Sequence, residues 1–329
     1  MKINKLIVSI SICILVLGCT QENKVKISEI SYYYWKTIFQ LDSSEKKALK
    51  SALNSQLYIR EFDVDFRSGK PEPVKIITWK DPCPKDYVPV IFITNRTFQF
   101  ADFKQIEALA TNIFDYFNKR KLPEEIQLDC DWTESTSSKY FYFLQKIKEK
   151  SGRKISATIR LHQIKFFEKT GIPPVDEGSL MVYNTGDWRN YSEINSVFDA
   201  HTVSAYLDRL NEYPLSLKIA LPIFSQTIVY RSRIFHAFLP EISLNILKSA
   251  SFLSEIKNDL IFECKSSGQI GGVQLRKGDI LKFEQPDFEE VLKIKNLILS
   301  KLNQKSTSII FFHLDKTCLK NYETKTLFE

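Results

Sequence analysis

From about residue 30 the chain alternates short runs of β-branched and aromatic residues with longer stretches whose apolar positions recur at helical spacing. This alternation predicts βαβ units feeding a parallel sheet. Predicted strands are Tyr32 to Phe39, Leu57 to Val64, Val88 to Asn95, Glu125 to Thr133, Ile155 to His162, Leu180 to Asn184, Leu217 to Ser225 and Ser308 to Leu314. Predicted helices include Ser43 to Leu53, Asp102 to Asn118, Thr136 to Lys150, Ala200 to Leu210 and Phe288 to Leu302. Eight strands separated by helices predict an α/β fold, a single (β/α)8 TIM-type barrel spanning 30–329. The alternative is an open doubly wound sheet, but no glycine-rich phosphate loop follows the first strand. Between the seventh and eighth strands, Leu260 to Glu263 and Gly271 to Phe283 have strand patterns with glycine turns, predicting a small, mostly β insertion at about 240–286.

The first eighteen residues break this pattern. Lys2 and Lys5 form a positive start, Leu6 to Leu17 an apolar run, and Val16-Leu17-Gly18-Cys19 reads as a lipobox. The segment resembles the leaders of bacterial lipoproteins. That resemblance implies a signal peptide at 1–18, a lipidated Cys19, and a tether at 19–29. The body is then expected in the cell envelope, in the periplasm or at the cell surface, held to a membrane by acyl chains such as palmitate. No later stretch is apolar enough for a spanning helix.

Composition narrows the classes further. At 43% hydrophobic and 26% charged, the chain is that of a folded globular protein. Setting Lys2 and Lys5 aside from the 46 basic residues leaves 44 against 39 acidic ones. An excess of +5 is too mild to imply a nucleic-acid partner. Beyond the leader and Cys19 remain Cys83, Cys130, Cys264 and Cys318, for which three disulfide pairings are open. Without CxxC pairs or clustered histidines they predict no zinc site, and Cys130 also fits as a buried hydrophobe.

Charged residues inside a parallel strand require a reason. In Glu125-Ile-Gln-Leu-Asp-Cys-Asp-Trp-Thr133 the two-residue period puts Gln127, Asp129, Asp131 and Thr133 on one face and Leu128, Cys130 and Trp132 on the other. Asp129 and Asp131, about 7 Å apart along a strand, raise each other's proton affinity. They are candidate catalytic groups; structurally, they could also bind neighbouring strands together. In the fifth strand Ser156, Thr158, Arg160 and His162 share a face, which makes Arg160 the inward counterion of Asp129 or Asp131, or a substrate clamp. His162 and Gln163 fall at the strand's C-terminal end, where barrel active sites form. On the second strand Glu61, Asp63 and Asp65 share a face by the same period, and Asn95 and Arg96 end the third. Trp79, Trp132 and Trp188 are candidate sugar-stacking surfaces, with Trp132 better suited to the core.

Leu128-Asp-Cys-Asp-Trp-Thr133 resembles the fourth-strand signature of the chitinase-like family 18 glycoside hydrolases, which ends Asp-x-Asp-x-Glu. Leu180-Met-Val-Tyr-Asn184 is similar to their sixth strand, Ala220-Leu-Pro-Ile-Phe-Ser225 looks like their seventh, and an insertion between strands seven and eight is usual there. A closer resemblance, over most of residues 55 to 240, is to a family of bacterial lipoproteins with hydrolase-like barrels and no assigned activity. It is carried by Gln127 to Thr136, Ala157 to Gln163 and Gly171 to Asn184.

The hydrolase resemblance implies that Asp131 orients a substrate acetamide, that Tyr183 hydrogen-bonds it, and that Asp129 buffers Asp131 from behind. The acid position is Thr133, whose hydroxyl cannot act as a general acid near neutral pH. Glu134 is the nearest carboxylate, at an odd offset. The first functional reading is therefore a carbohydrate-active enzyme without cofactor, with Asp129, Asp131 and Glu134 as catalytic candidates. Asp63, Asp65, Arg160, His162, Gln163, Tyr183 and Asn184 are its substrate-binding candidates. The second is an inactive barrel that binds a glycan or a protein partner at the same mouth. Metal-dependent hydrolysis through Asp129, Asp131 and His162 needs more ligands than the sequence places.

Overall fold

The computed structural model describes residues 25–320 except 83, 85, 121, 122, 194, 240 and 241. The leader, Cys19, the tether up to residue 24, and Cys83 lie outside the described residues. Eight parallel strands close into a ring: β1 (Lys26–Tyr34), β2 (Leu57–Arg67), β3 (Tyr87–Ile93), β4 (Glu125–Asp129), β5 (Lys154–Arg160), β6 (Glu177–Met181), β7 (Leu217–Pro222) and β8 (Ser306–Phe312). Each pairs with its sequence neighbours, and β1 pairs with both β8 and β2, which closes the barrel and excludes the open sheet. An extra strand, Lys70–Val74, runs antiparallel to β2 outside the ring.

Several boundaries differ from the sequence expectation, each for a local reason. β1 starts at Lys26, inside the stretch read as tether, because pairing with β8 begins at Lys26 opposite Ser306. It stops at Tyr34, and Ile38–Phe39 pairs separately with Thr78–Trp79. β4 ends at Asp129 and not at Thr133, since Thr133 caps the next helix. β5 gives way after Arg160 to a short helix, Leu161–Lys165, and β6 lies at 177–181, earlier than expected. The insertion starts well before residue 240: a five-stranded antiparallel sheet begins with the hairpin Gln226–Arg231 and Ile234–Leu239 and ends at Ile280–Glu284.

Helices α1 (Ser43–Ser51), α2 (Phe103–Asn118), α3 (Glu134–Ser151), α4 (Ala200–Tyr206) and α5 (Phe288–Lys301) line the outside. The ends of α2 and α3 are written in the sequence. Asp102 and Gln105 form a reciprocal capping box on α2, and Gly152 takes the left-handed conformation that stops α3. Outward strand residues such as Ile91, Leu128, Ile159 and Ile219 belong to one continuous core with Ile106 and Ile113 of α2, Phe143 and Ile147 of α3, and Val291 and Ile298 of α5.

Inside the ring a smaller apolar cluster of Tyr33, Tyr58, Val90, Met181, Tyr183 and Ile310 is stacked among polar layers. At the floor the Lys218 ammonium lies 2.8 Å from Glu125 and 2.7 Å from the Tyr58 hydroxyl, and Ser156 donates to Glu125 at 2.6 Å. One layer up, Gln127 accepts from Tyr33 at 2.6 Å and donates to Ser179 at 2.9 Å. Burial alone raises the Glu125 pKa, but Lys218 and Lys154 overcome it and hold the carboxyl below its usual range. Lys218→Ala leaves Glu125 buried without its main counterion and is expected to cost about 3–5 kcal/mol in chemical denaturation. The double variant Lys218→Met, Glu125→Leu should recover most of that loss; equal damage from both would show that the pair does not act as a unit.

Candidate active site at the barrel mouth

The C-terminal ends of the strands bring most of the sequence candidates to one mouth. Asp129, the last residue of β4, points inward, is 5% exposed, and accepts from the Thr158 hydroxyl of β5 at 2.6 Å. Asp131 lies just beyond the strand, where Arg160 grips it with two parallel hydrogen bonds, one from Nε and one from Nη2 at 2.7 Å. Both side chains of that pair stay partly open, 41% exposed for Asp131 and 33% for Arg160. Of the two counterions the sequence offered Arg160, the one taken is Asp131.

The second strand departs from strict alternation. A bulge between Arg60 and Phe62 turns Glu61 and Phe62 to the helix side, where Glu61 accepts from Tyr87, Tyr116 and Arg120. Arg60 and Asp63 are thereby both turned inward, joined by bonds of 2.6 and 2.5 Å, with Lys75 at 3.5 Å from Asp63. The expectation that Glu61, Asp63 and Asp65 share one face is therefore wrong, because the extra residue shifts the phase. Asp63 and Asp129 flank Phe92 in the register, which separates their backbones by about 10 Å across two strand spacings. Asp65 sits at the rim, fixed by the Thr94 hydroxyl at 2.9 Å and the amide of Phe66.

Tyr183 lies buried just past β6 and stacks on Phe312 of β8 at 4.7 Å between ring centroids. His162, Asn184, Arg160 and Tyr183 line a cleft of about 100 Å³ closed by Thr202 and Tyr206 of α4. Gln163 is fully buried and spent on the backbone, accepting from the Arg160 amide and donating to the Trp132 carbonyl. It holds the mouth's shape and is not free for substrate. Thr133 and Glu134 are exposed, with the Thr133 hydroxyl 3.0 Å from Ser135 and 3.2 Å from Thr136 at the head of α3. Asn95 accepts from Thr136 at 2.6 Å, a bond that ties the third strand's end to that cap.

Among the tryptophans, Trp132 is core, Trp79 packs on Phe39, and Trp188 packs on Phe235 and Phe238 of the insertion. The aromatic surface at the mouth comes from residues the sequence reading missed: Trp35, Phe312 and Phe224, with Arg60 at 5.7 Å from the Trp35 ring. Trp35 lies just beyond the end of β1, a position that the misplaced strand boundary concealed. Cys130, Cys264 and Cys318 are buried, Cys130 and Cys264 as free thiols. Among the described residues no three His, Cys, Asp or Glu side chains converge as a metal site.

Burial, reinforced by Asp131 and Asp63, raises the Asp129 pKa to about 7 against the pull of Thr158 and Arg160. Burial, Tyr33 and Asp129 push the Tyr183 hydroxyl well above the phenol range, so it is a neutral donor. Burial and Arg160 lower the pKa of His162. The mouth thus combines one carboxyl of raised proton affinity with two that are held by arginines.

No protein-family model matches the chain, and no curated protein matches it. Among solved structures, the spore cortex-lytic enzyme SleL of Bacillus cereus is similar over 91% of this chain and 75% of its own, at 14% identity and a TM-score of 0.55. A chitinase of Chromobacterium violaceum is similar over 92% of this chain and 99% of its own, at 11% identity and a TM-score of 0.56. The likeness is one of fold: this chain shares the barrel of glycoside-hydrolase-like enzymes.

Because the folded protein keeps the Asp129 proton to higher pH than the unfolded chain does, this group costs stability as pH rises from about 4 towards 7. Asp129→Asn removes that titration. The variant should gain about 1 kcal/mol or more relative to the parent between pH 5 and pH 8 in denaturant unfolding. A difference that stays flat over that range would mean Asp129 ionises normally.

Proposed function

We propose that the protein acts on a glycan held at the C-terminal mouth of the barrel. The observation that carries this reading is the meeting of Asp129, Asp131 and Tyr183 beside an aromatic surface of Trp35 and Phe312. Aromatic faces suit the apolar faces of sugar rings, while aspartates and a neutral tyrosine hydroxyl suit their polar edges. The fold shared with a chitinase and a cortex-lytic enzyme supports the same substrate class.

Hydrolysis needs a group that is protonated when the leaving oxygen departs. Thr133 cannot be that group, and its hydroxyl is engaged at the head of α3. Asp129, with its raised pKa, is the mouth carboxyl best matched to the role, although its burial sets it back beneath Asp131. A second reading, glycan binding without turnover, is favoured by the Arg160 grip on both oxygens of Asp131.

Incubation with N-acetylated and plain oligosaccharides, read by mass spectrometry, separates the two. Fragments that disappear in Asp131→Ala make it a glycosidase, whereas intact adducts that disappear in the variant make it a binding barrel. The absence of both fragments and adducts with the parent protein would overturn the glycan reading.

We also propose that Cys19 is lipidated and anchors the body in the cell envelope, on the strength of the Lys2 and Lys5 start and the Val16-Leu17-Gly18-Cys19 lipobox. Cys19→Ser should abolish incorporation of labelled palmitate and leave the membrane fraction depleted of the protein. Unchanged labelling would overturn the anchor.

A further inference from the structure

All eight strands run the same way, so the barrel has a mouth and an opposite, N-terminal face. That face is formed by the last turns of the helices and the starts of the strands. Six exposed cations gather there: Lys26 at the start of β1, Lys50 and Lys150 in the last turns of α1 and α3, Lys119 after α2, Arg153 before β5 and Lys305 before β8. None of the six is in an ion pair among the described residues. Of the acids on the same face, Asp176 pairs with Lys148 at 2.6 Å and Glu212 with Arg209 at 2.8 Å, while Asp86, Asp115, Glu124 and Asp208 are exposed without an ion pair among the described residues, so the six cations outnumber the unpaired acids.

Helix C-termini favour cations, which accounts for Lys50 and Lys150 singly. It does not account for Lys26, Arg153 and Lys305 at strand starts. A second observation concerns where the chain enters. β1 begins on this face, and six residue steps separate Cys19 from Val25, a reach of at most roughly 20 Å. A lipid on Cys19 would therefore hold this face, and not the mouth, against the bilayer.

We infer that the basic N-terminal face docks on an anionic phospholipid surface, so that the barrel stands with its mouth turned away from the membrane. The orientation rests on the lipidation of Cys19 proposed above; the charge complementarity does not. Each cation near an anionic leaflet contributes about fivefold in binding, and the attraction is screened by salt. The tilted strands raise the mouth by roughly 20 Å above the docked face. Its glycan would accordingly belong to a polymer lying beyond the headgroups and not to a glycolipid of the same leaflet.

The test uses the chain from Thr20 onward, which lacks Cys19 and retains every described element of the closed barrel. It is floated with vesicles of phosphatidylcholine alone or with one quarter phosphatidylglycerol, at 50 and 500 mM NaCl. Binding is expected only to the anionic vesicles and only at low salt. The triple reversal Lys119→Glu, Arg153→Glu, Lys305→Glu, checked for folding by its thermal unfolding, should bind on the order of a hundredfold more weakly. A triple reversal on the mouth side, Arg67→Glu, Arg96→Glu, Lys139→Glu, should leave binding unchanged. No flotation with anionic vesicles, equal flotation with neutral ones, or equal losses from the two triple variants would each overturn the docking face. Failure of the lipid anchor itself would appear separately, in palmitate labelling of the full chain.

Discussion

The polar column inside the barrel is the constraint on which the site depends. β4 contributes Glu125, Gln127 and Asp129 to successive layers of the interior, and each requires partners that only neighbouring strands can provide. Lys218 reaches across from β7 to Glu125, Tyr33 from β1 and Ser179 from β6 to Gln127, and Thr158 from β5 to Asp129. A slip of β4 by one residue would exchange all three for Ile126, Leu128 and Cys130 and strand their partners in the interior. The floor pair therefore fixes the phase that delivers Asp129 to the mouth. The apolar outer face, with Leu128 against Tyr140 and Phe143, enforces the same phase from the other side.

With that phase set, the electrostatics of the mouth follow from how its carboxyls are matched with cations. Asp131 and Asp63 each take an arginine with both oxygens, whereas the buried Asp129 has only a hydroxyl. Burial, reinforced by Asp131 and Asp63, makes a charge on Asp129 unfavourable and raises its affinity for a proton. Arg160 is shared in this arrangement: it neutralises Asp131 directly and tempers Asp129 at longer range. The partner of Asp131 in this barrel is that arginine.

The closed barrel, the order of its strands and the inward faces of β4 and β5 were legible because two-residue alternation is local and survives to the strand ends. The failures are equally local. Nothing in Arg60-Glu-Phe-Asp63 announces a bulge, since no glycine or proline marks it, and the extra residue transfers Glu61 to the helix layer and brings in Arg60. The polar Lys26-Ile-Ser-Glu29 does not read as a strand, yet backbone pairing with β8 extends it there. Gln163 looked like a ligand because it follows His162, but a short helix starts at that point and the amide is used to cap it. Trp35, Phe224 and Phe312 come from three separate strand ends, and only ring closure makes them neighbours.

The insertion shows how such a mouth can acquire a wall without disturbing the floor. Its sheet has its own apolar core of Val229, Leu239, Phe262, Leu281 and Phe283, separate from both barrel clusters. It meets the barrel through the long loop after β6, where Ser196 donates to Glu284, Asn195 to the carbonyl of Gln285, and Tyr230 to that of Trp188. The same loop begins with Asn184 and Thr185, which line the cleft beside Tyr183 and His162. Changes in the insertion therefore reach the cleft through a loop fastened by polar contacts, while the charged floor near Glu125 lies at the far end of the strands. The charged floor that sets the register and the candidate site thus lie at opposite ends of one barrel.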